Sequence, residues 1–266
     1  MATPRVLVFS GYGLNCEEET AFAFESAGGR SDVAHINDVI DGRIKLDRYQ
    51  ILAFPGGFSY GDDTGSGQAF GNKLRHHLWD ELLAFVRRDT LTIGICNGFQ
   101  IIANLGLVPA VDRQYGDRQL ALLHNDSARY TVRWVDLEVT GHTPWLRGIR
   151  QLSIPIAHGE GKVYADPETL SKLNRKGQVA LRYVSGEICR YLNLPANPNG
   201  SLEDIAGVTD ESGRILGLMP HPERALFFTQ LPHWPLLREQ YRRRGEPIPE
   251  TASGRQIFEN GIRYFA

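Results

Sequence analysis

The stretch Leu91-Thr92-Ile93-Gly94-Ile95-Cys96-Asn97-Gly98-Phe99-Gln100 decides the fold class. An apolar run of strand length ends in Gly-x-Cys-x-Gly and passes at once into a helical pattern, Asn97 to Leu105, which is the layout of a nucleophile elbow with cysteine in place of serine. The glycines have a steric reason: in so tight a turn the positions two before and two after the nucleophile have almost no room for side chains. Such a turn exposes the thiol at the carboxyl edge of a sheet. It also sets the sulfur at a helix N-terminus, where unpaired N–H groups and the helix dipole favour thiolate.

Upstream of this stretch, short β-branched runs alternate with longer amphipathic ones. Strands are expected at Arg5–Ser10, Asp32–Ile36, Ile51–Phe54 and Leu91–Ile95. Helices are expected at Glu17–Ala27 and at Leu78–Arg87, where Leu78, Leu82, Leu83 and Val86 share a face. This alternation predicts an α/β fold with a mostly parallel central sheet and helices on both faces. From about residue 120 successive strands follow with little room for crossover helices: Leu120–Leu123, Tyr130–Thr140, Ser153–Ala157, Val179–Tyr183, Ile205–Thr209 and Ile215–Met219. Added antiparallel pairing is therefore expected there. From Thr229 a C-terminal helical extension carries two helical patterns separated by Pro247, Pro249 and Gly254, and Arg242-Arg243-Arg244 is expected at a solvated helix end. One domain over residues 1–266 is the expectation.

The sequence has 266 residues, 42% hydrophobic and 23% charged, with a formal net charge of -2. That balance offers no global attraction to nucleic acid or to an anionic membrane. Cys16, Cys96 and Cys189 are too scattered for a disulfide framework or a zinc site, and an odd count leaves a free thiol. His76-His77 lack ligand spacing, so no metal is expected. The start of the chain runs directly into Val6-Leu7-Val8-Phe9, with no apolar segment of signal or spanning length, and a cytoplasmic location is expected.

A thiolate nucleophile needs a base held by a third group, and Met219-Pro220-His221-Pro222-Glu223 can supply both. Pro222 forbids a regular helix, so the segment is expected to stay extended or turned, with His221 addressing Cys96 and Glu223 orienting the imidazole. At the end of another apolar strand, Phe54-Pro55-Gly56-Gly57-Phe58-Ser59 lets the backbone of Gly56 and Gly57 approach a substrate closely. Gly57 N–H and the N–H of Asn97 are the expected oxyanion donors. No Gly-Lys-Ser/Thr follows, so the segment is not a phosphate loop.

These motifs, in this order, resemble the class I (triad) glutamine amidotransferases. The resemblance extends to Gly-Gly-Phe-Ser-Tyr-Gly-Asp at 56–62, Gly-Ile-Cys-Asn-Gly-Phe-Gln at 94–100, Ala-His-Gly-Glu-Gly at 157–161, Asn-Gly-Ser-Leu-Glu-Asp-Ile-Ala-Gly at 199–207 and Met-Pro-His-Pro-Glu-Arg at 219–224. It implies the three-layer fold of that family and hydrolysis of L-glutamine through a thioester on Cys96, with His221 moving protons and Glu223 orienting His221. It further implies that Gln100 helps to hold glutamine and that His158 borders the glutamine pocket or a partner. The wording resembles a branch that serves purine biosynthesis. There, ammonia passes to a separate ATP-dependent synthetase subunit, accompanied by a small bridging subunit. ATP and magnesium would belong to that partner, and this chain would carry no cofactor.

Other residues carry less. Cys16 precedes Glu17-Glu18-Glu19, whose negative charge opposes thiolate formation, and a structural role is expected for it. Cys189 has no activating neighbour in sequence. Competing readings are an α/β hydrolase with a cysteine nucleophile, a related cysteine peptidase and a catalytically silent binding subunit. The hydrolase places its acid between nucleophile and histidine in chain order, whereas Glu223 follows His221. The silent subunit would have lost a member of Cys96, His221 and Glu223, and all are present.

Overall fold

Every residue of Ile51–Phe54 and of Leu91–Ile95 is buried, as continuous apolar runs are in strands covered on both faces. The structure, a computed structural model, describes residues 3–266. The chain opens with β1 (Arg5–Ser10), α1 (Glu17–Ser26), β2 (Arg30–His35), the short α2 (Ile36–Ile40), β3 (Ile51–Phe54), α3 (Gln68–Arg87), β4 (Leu91–Ile95) and α4 (Asn97–Asn104). It continues with β5 (Ala121–His124), β6 (Thr131–Val139), β7 (Gln151–His158), β8 (Glu160–Tyr164), α5 (Pro167–Arg175), β9 (Val179–Val184) and α6 (Glu187–Leu192). Last come β10 (Ile205–Thr209), β11 (Ile215–Leu218), α7 (Trp234–Arg244) and α8 (Arg255–Arg263).

A nine-stranded sheet runs in the order β2-β1-β3-β4-β11-β10-β9-β6-β7. The pairs from β2 to β11 are parallel and those from β11 to β7 antiparallel. From β1 the chain steps through α1 to β2, and from β3 through α3 to β4 in the opposite direction. Right-handed crossovers therefore place α1 and α3 on opposite faces, and strand order reverses between β1 and β3. In the antiparallel half, β7 alternates between buried and less buried residues, as expected when one face of a strand meets the core.

Several expectations are revised. The strand β11 pairs antiparallel with β10 as expected, but on its other side it pairs parallel with β4, Leu216 beside Ile93, and so delivers residues 219–223 to the edge that bears Cys96. The expected strand at Leu120–Leu123 is β5, which leaves the main sheet to pair with β8. The helix expected from Leu78 begins ten residues earlier, at Gln68, with Phe70 and Leu74 buried on the same face as Leu78 and Leu82. The tail does carry two helices. In the second, Ile257 and Phe258 are fully buried, and Phe258 meets Phe24 of α1 edge-on at 4.9 Å. By contrast α7 buries no residue and ends on Arg242, Arg243 and Arg244. Among the described residues no helix is long and apolar enough to cross a membrane.

Candidate active site

Cys96 stands between β4 and α4 with φ 51° and ψ -106°, a conformation that non-glycine residues rarely adopt and that here turns the sulfur out of the strand. Its N–H donates to Leu218 O of β11 at 2.8 Å, which locks the turn to the neighbouring strand. The flanking glycines are sterically required. A Cβ at Gly94 would lie 2.6 Å from Gly98 O, and a Cβ at Gly98 would overlap the carbonyl oxygen of Phe54. Cys96 is 5% exposed, and its sulfur lies 3.6 Å from Ala157 O of β7.

Beyond β11, Pro222–Arg224 form one tight helical turn, the turned rather than the extended alternative expected from Pro222. Proline fits because the first position of such a turn needs no N–H donor. His221 Nδ1 lies 2.5 Å from Glu223 Oε1. Both residues are buried, and His221 Nε2 has no partner among the described residues. Burial opposes a charge on the imidazole, but the carboxylate of Glu223 and the adjacent Cys96 sulfur outweigh it and hold His221 well above the usual histidine range. Such a site can draw a proton from Cys96 and return it to a leaving amine.

The loop after β3 supplies the third element. Asn15 N–H donates to Gly56 O at 3.2 Å and Phe58 N–H to Gly13 O at 2.8 Å. Leu14 and Gly57 thus form an isolated antiparallel bridge whose register leaves the N–H of Gly57 unused. Gly57 has φ 149°, and a Cβ there would lie 2.6 Å from Gly13 O. The side chain of Asn97 ties this loop to α4. Its Oδ1 accepts from Ser59 N–H at 3.2 Å, and its Nδ2 donates to Gln100 Oε1 at 2.8 Å and to Asp62 Oδ1 at 3.3 Å. Gln100 Nε2 in turn donates to Glu160 O at 2.6 Å. Both ends of the Gln100 amide therefore hold protein groups, leaving one N–H and one lone pair for anything else.

His158 is sealed within the Ala157–Gly161 turn, its Nδ1 3.1 Å from Asn125 Oδ1. Burial, reinforced by the nearby charge of His221, pushes it down to about 3, so it is neutral near pH 7. Cys189 is fully buried, and its N–H donates to Asp136 Oδ2 at 2.8 Å.

The sequence did not suggest two neighbours of this centre. Tyr130 donates its hydroxyl to Ala157 O at 2.9 Å, the carbonyl that Cys96 also faces, and its ring lies 5.8 Å from that of Phe58. Cys16 was expected to be structural, yet it offers its sulfur within 4.8 Å of ligand-type atoms of His221 and Glu223. Two ligands of one tetrahedral zinc stand about 3.3 Å apart. His221 and Glu223 are closer than that, so a cation would have to break their hydrogen bond. The cluster is a hydrogen-bonded pair with a packed thiol, and burial pushes that thiol up.

Comparison with known proteins gives the family. The family described as the CobB/CobQ-like glutamine amidotransferase domain matches residues 3–265. The phosphoribosylformylglycinamidine synthase subunit PurQ of Methanococcus maripaludis is 48% identical over 98% of this chain and 97% of its own. The PurQ subunit of Dehalococcoides mccartyi is 39% identical over 99% of this chain and 98% of its own. A solved structure of PurLQS from Thermotoga maritima superimposes over 100% of both chains with a TM-score of 0.73 at 30% identity. Matched along essentially its whole length, the chain belongs to the CobB/CobQ-like glutamine amidotransferase family, in the branch formed by the PurQ subunits of phosphoribosylformylglycinamidine synthase.

Proposed function

We propose that this chain is the glutaminase subunit that hydrolyses L-glutamine to glutamate and ammonia for phosphoribosylformylglycinamidine synthesis in de novo purine biosynthesis. Cys96 attacks the side-chain amide carbon and His221 gives the proton to the departing ammonia. Water, deprotonated by the same imidazole, then cleaves the glutamyl thioester. Glu223 fixes the imidazole's orientation and favours its cation. The N–H groups of Gly57 and Asn97 face the developing oxyanion. Gln100 and Gly56 border the bound glutamine, Gln100 through its remaining N–H and lone pair, and His158, its ring sealed inside, borders it through the backbone of its turn.

The observation that carries this reading is the buried His221–Glu223 pair, 2.5 Å apart, delivered by β11 to the strand edge that bears Cys96. Ammonia passes to an ATP-dependent synthetase, PurL, with PurS as the small bridging subunit, a partnership supported by the likeness to the PurLQS structure. ATP and magnesium act on the synthetase, this chain needs no cofactor or metal for its half-reaction, and the assembly works in the cytoplasm.

Treatment of the folded chain with a glutamine analogue bearing an electrophilic side chain, followed by peptide mapping, tests the reading. Label is expected on Cys96 and not on Cys16 or Cys189, whose thiols are buried and pushed up by that burial. Preferential label on either of those two would overturn it.

A further inference from the structure

The thiol of Cys16 stands where three parts of the centre meet. Its N–H, together with that of Asn15, donates to Gly56 O, each at 3.2 Å. With its carbonyl held from behind, the peptide that follows Gly56 presents the N–H of Gly57 outward. Gly56 itself has no space for a side chain, since a Cβ there would lie 2.7 Å from His221 Cε1 and 3.1 Å from Cys16 Sγ. The imidazole edge and the thiol are thus packed together on the backbone of the oxyanion loop.

Arg224 holds the thiol from the other side. Its Nη2 donates to Cys16 Sγ at 3.0 Å, while its Nε donates to Glu19 Oε1 at 2.8 Å. The Arg224 and Glu19 side chains are 40% and 37% exposed, so the ion pair itself contributes little to stability. Its geometric effect is larger. The planar guanidinium fixes one nitrogen on α1 and another on the sulfur, and Arg224 lies only three residues after His221.

We propose that Cys16 and Arg224 are positioning residues for glutamine hydrolysis, a single clamp that sets the imidazole of His221 and the peptide of Gly57 relative to each other. This rests on the glutaminase reading above. Cys16 packs on the imidazole, and both residues act through it and the oxyanion loop instead of on the glutamine amide. The clamp keeps proton transfer and oxyanion stabilisation in register, and a displacement of about 1 Å in such a site costs up to ~100-fold in rate.

The test measures glutamine hydrolysis by the assembled synthetase complex carrying Cys16→Ala, Arg224→Gln, both changes, or Cys16→Ser. The first two are each expected to lower kcat about tenfold with KM within about twofold, because the loss falls on the transition state. The double variant should lose no more than about twentyfold, since either change opens the same clamp. Cys16→Ser, whose hydroxyl can still accept from Arg224, should recover at least about a third of wild-type kcat. A multiplicative loss of about 100-fold in the double variant, an effect confined to KM, or single variants within twofold of wild type in kcat would overturn the clamp. Arg224 is partly exposed, so Arg224→Gln reports even if Cys16→Ala fails to fold. A wild-type complex that releases no glutamate would instead sink the glutaminase reading and the clamp with it.

Discussion

His221 Nδ1 and Glu223 Oε1 lie 2.5 Å apart, and their side chains are 3% and 0% exposed. A carboxylate that close to a buried imidazole fixes which ring nitrogen carries the proton and favours the cation that the proposed proton transfer from Cys96 would form. Because solvent screens this pair little, its effect is not eroded as that of an exposed ion pair would be.

Glu223→Gln is accordingly expected to lower kcat for glutamine hydrolysis on the order of 100-fold, less than Cys96→Ser, which alters the atom that makes the covalent bond. The folded state holds His221 above its unfolded value of about 6.5. The pair's stabilisation is therefore fully present below pH ~6.5 and is lost as pH rises through the folded value. Thermal scans of Glu223→Gln should show the largest deficit near pH 6 and a smaller one at alkaline pH. Wild-type turnover by Glu223→Gln at saturating glutamine would remove Glu223 from the mechanism.

The elbow glycines give a stability prediction with its own control. A methyl group at Gly98 would overlap the Phe54 carbonyl between β3 and α4. Gly98→Ala should cost about 3 kcal/mol through overpacking, lowering the thermal midpoint by roughly 6–12 °C. At Gly71 in α3 the nearest atoms to a Cβ are 3.5 Å away. Gly71→Ala should therefore be neutral or stabilising, by up to about 1 kcal/mol. Equal midpoints for the two variants would contradict the steric account.

What the sequence displayed was local. The runs Ile51–Phe54 and Leu91–Ile95, and the glycines at 56, 57, 94 and 98, are read within a few residues, because strand burial and turn sterics act over that range. The return of β11 beside β4 was hidden, since Ile215–Leu218 has the same apolar pattern whichever neighbour it joins. The first half of α3 was obscured because its buried Phe70 and Leu74 are interspersed with Gly71, Asn72, Lys73, Arg75 and two histidines. The three glutamates that follow Cys16 argue locally against an active thiol. Its relevant neighbour Arg224 is 208 positions away, and no local reading brings the two together.

His158 predicts an acid-linked loss of stability opposite in sign to that of His221. The fold pushes it down to about 3, whereas in the unfolded chain it titrates near 6.5. As pH falls from about 6.5 toward 3, the unfolded chain takes up a proton that the folded one refuses, which costs ~1.4 kcal/mol per pH unit. His158→Gln lacks that penalty. Its stability deficit relative to wild type should therefore be about 2 kcal/mol smaller at pH 5 than at pH 8. Denaturant melts at the two pH values check this, and a deficit that does not change with pH would place a charged histidine in the turn.

Supply of nitrogen by this chain, with acceptor activation left to its partner, is read out by amidine synthesis in the reconstituted synthetase complex carrying Cys96→Ala, with glutamine or an ammonium salt as nitrogen source. The sulfur sits on a turn fixed by backbone contacts, with the Cys96 N–H on Leu218 O and Gly98 against Phe54. Loss of the side chain should therefore leave the subunit folded and docked. Synthesis from glutamine is expected to vanish while synthesis from ammonium stays within about twofold of wild type. Retained glutamine-dependent synthesis, or loss of ammonium-dependent synthesis in a fully assembled complex, would contradict the account.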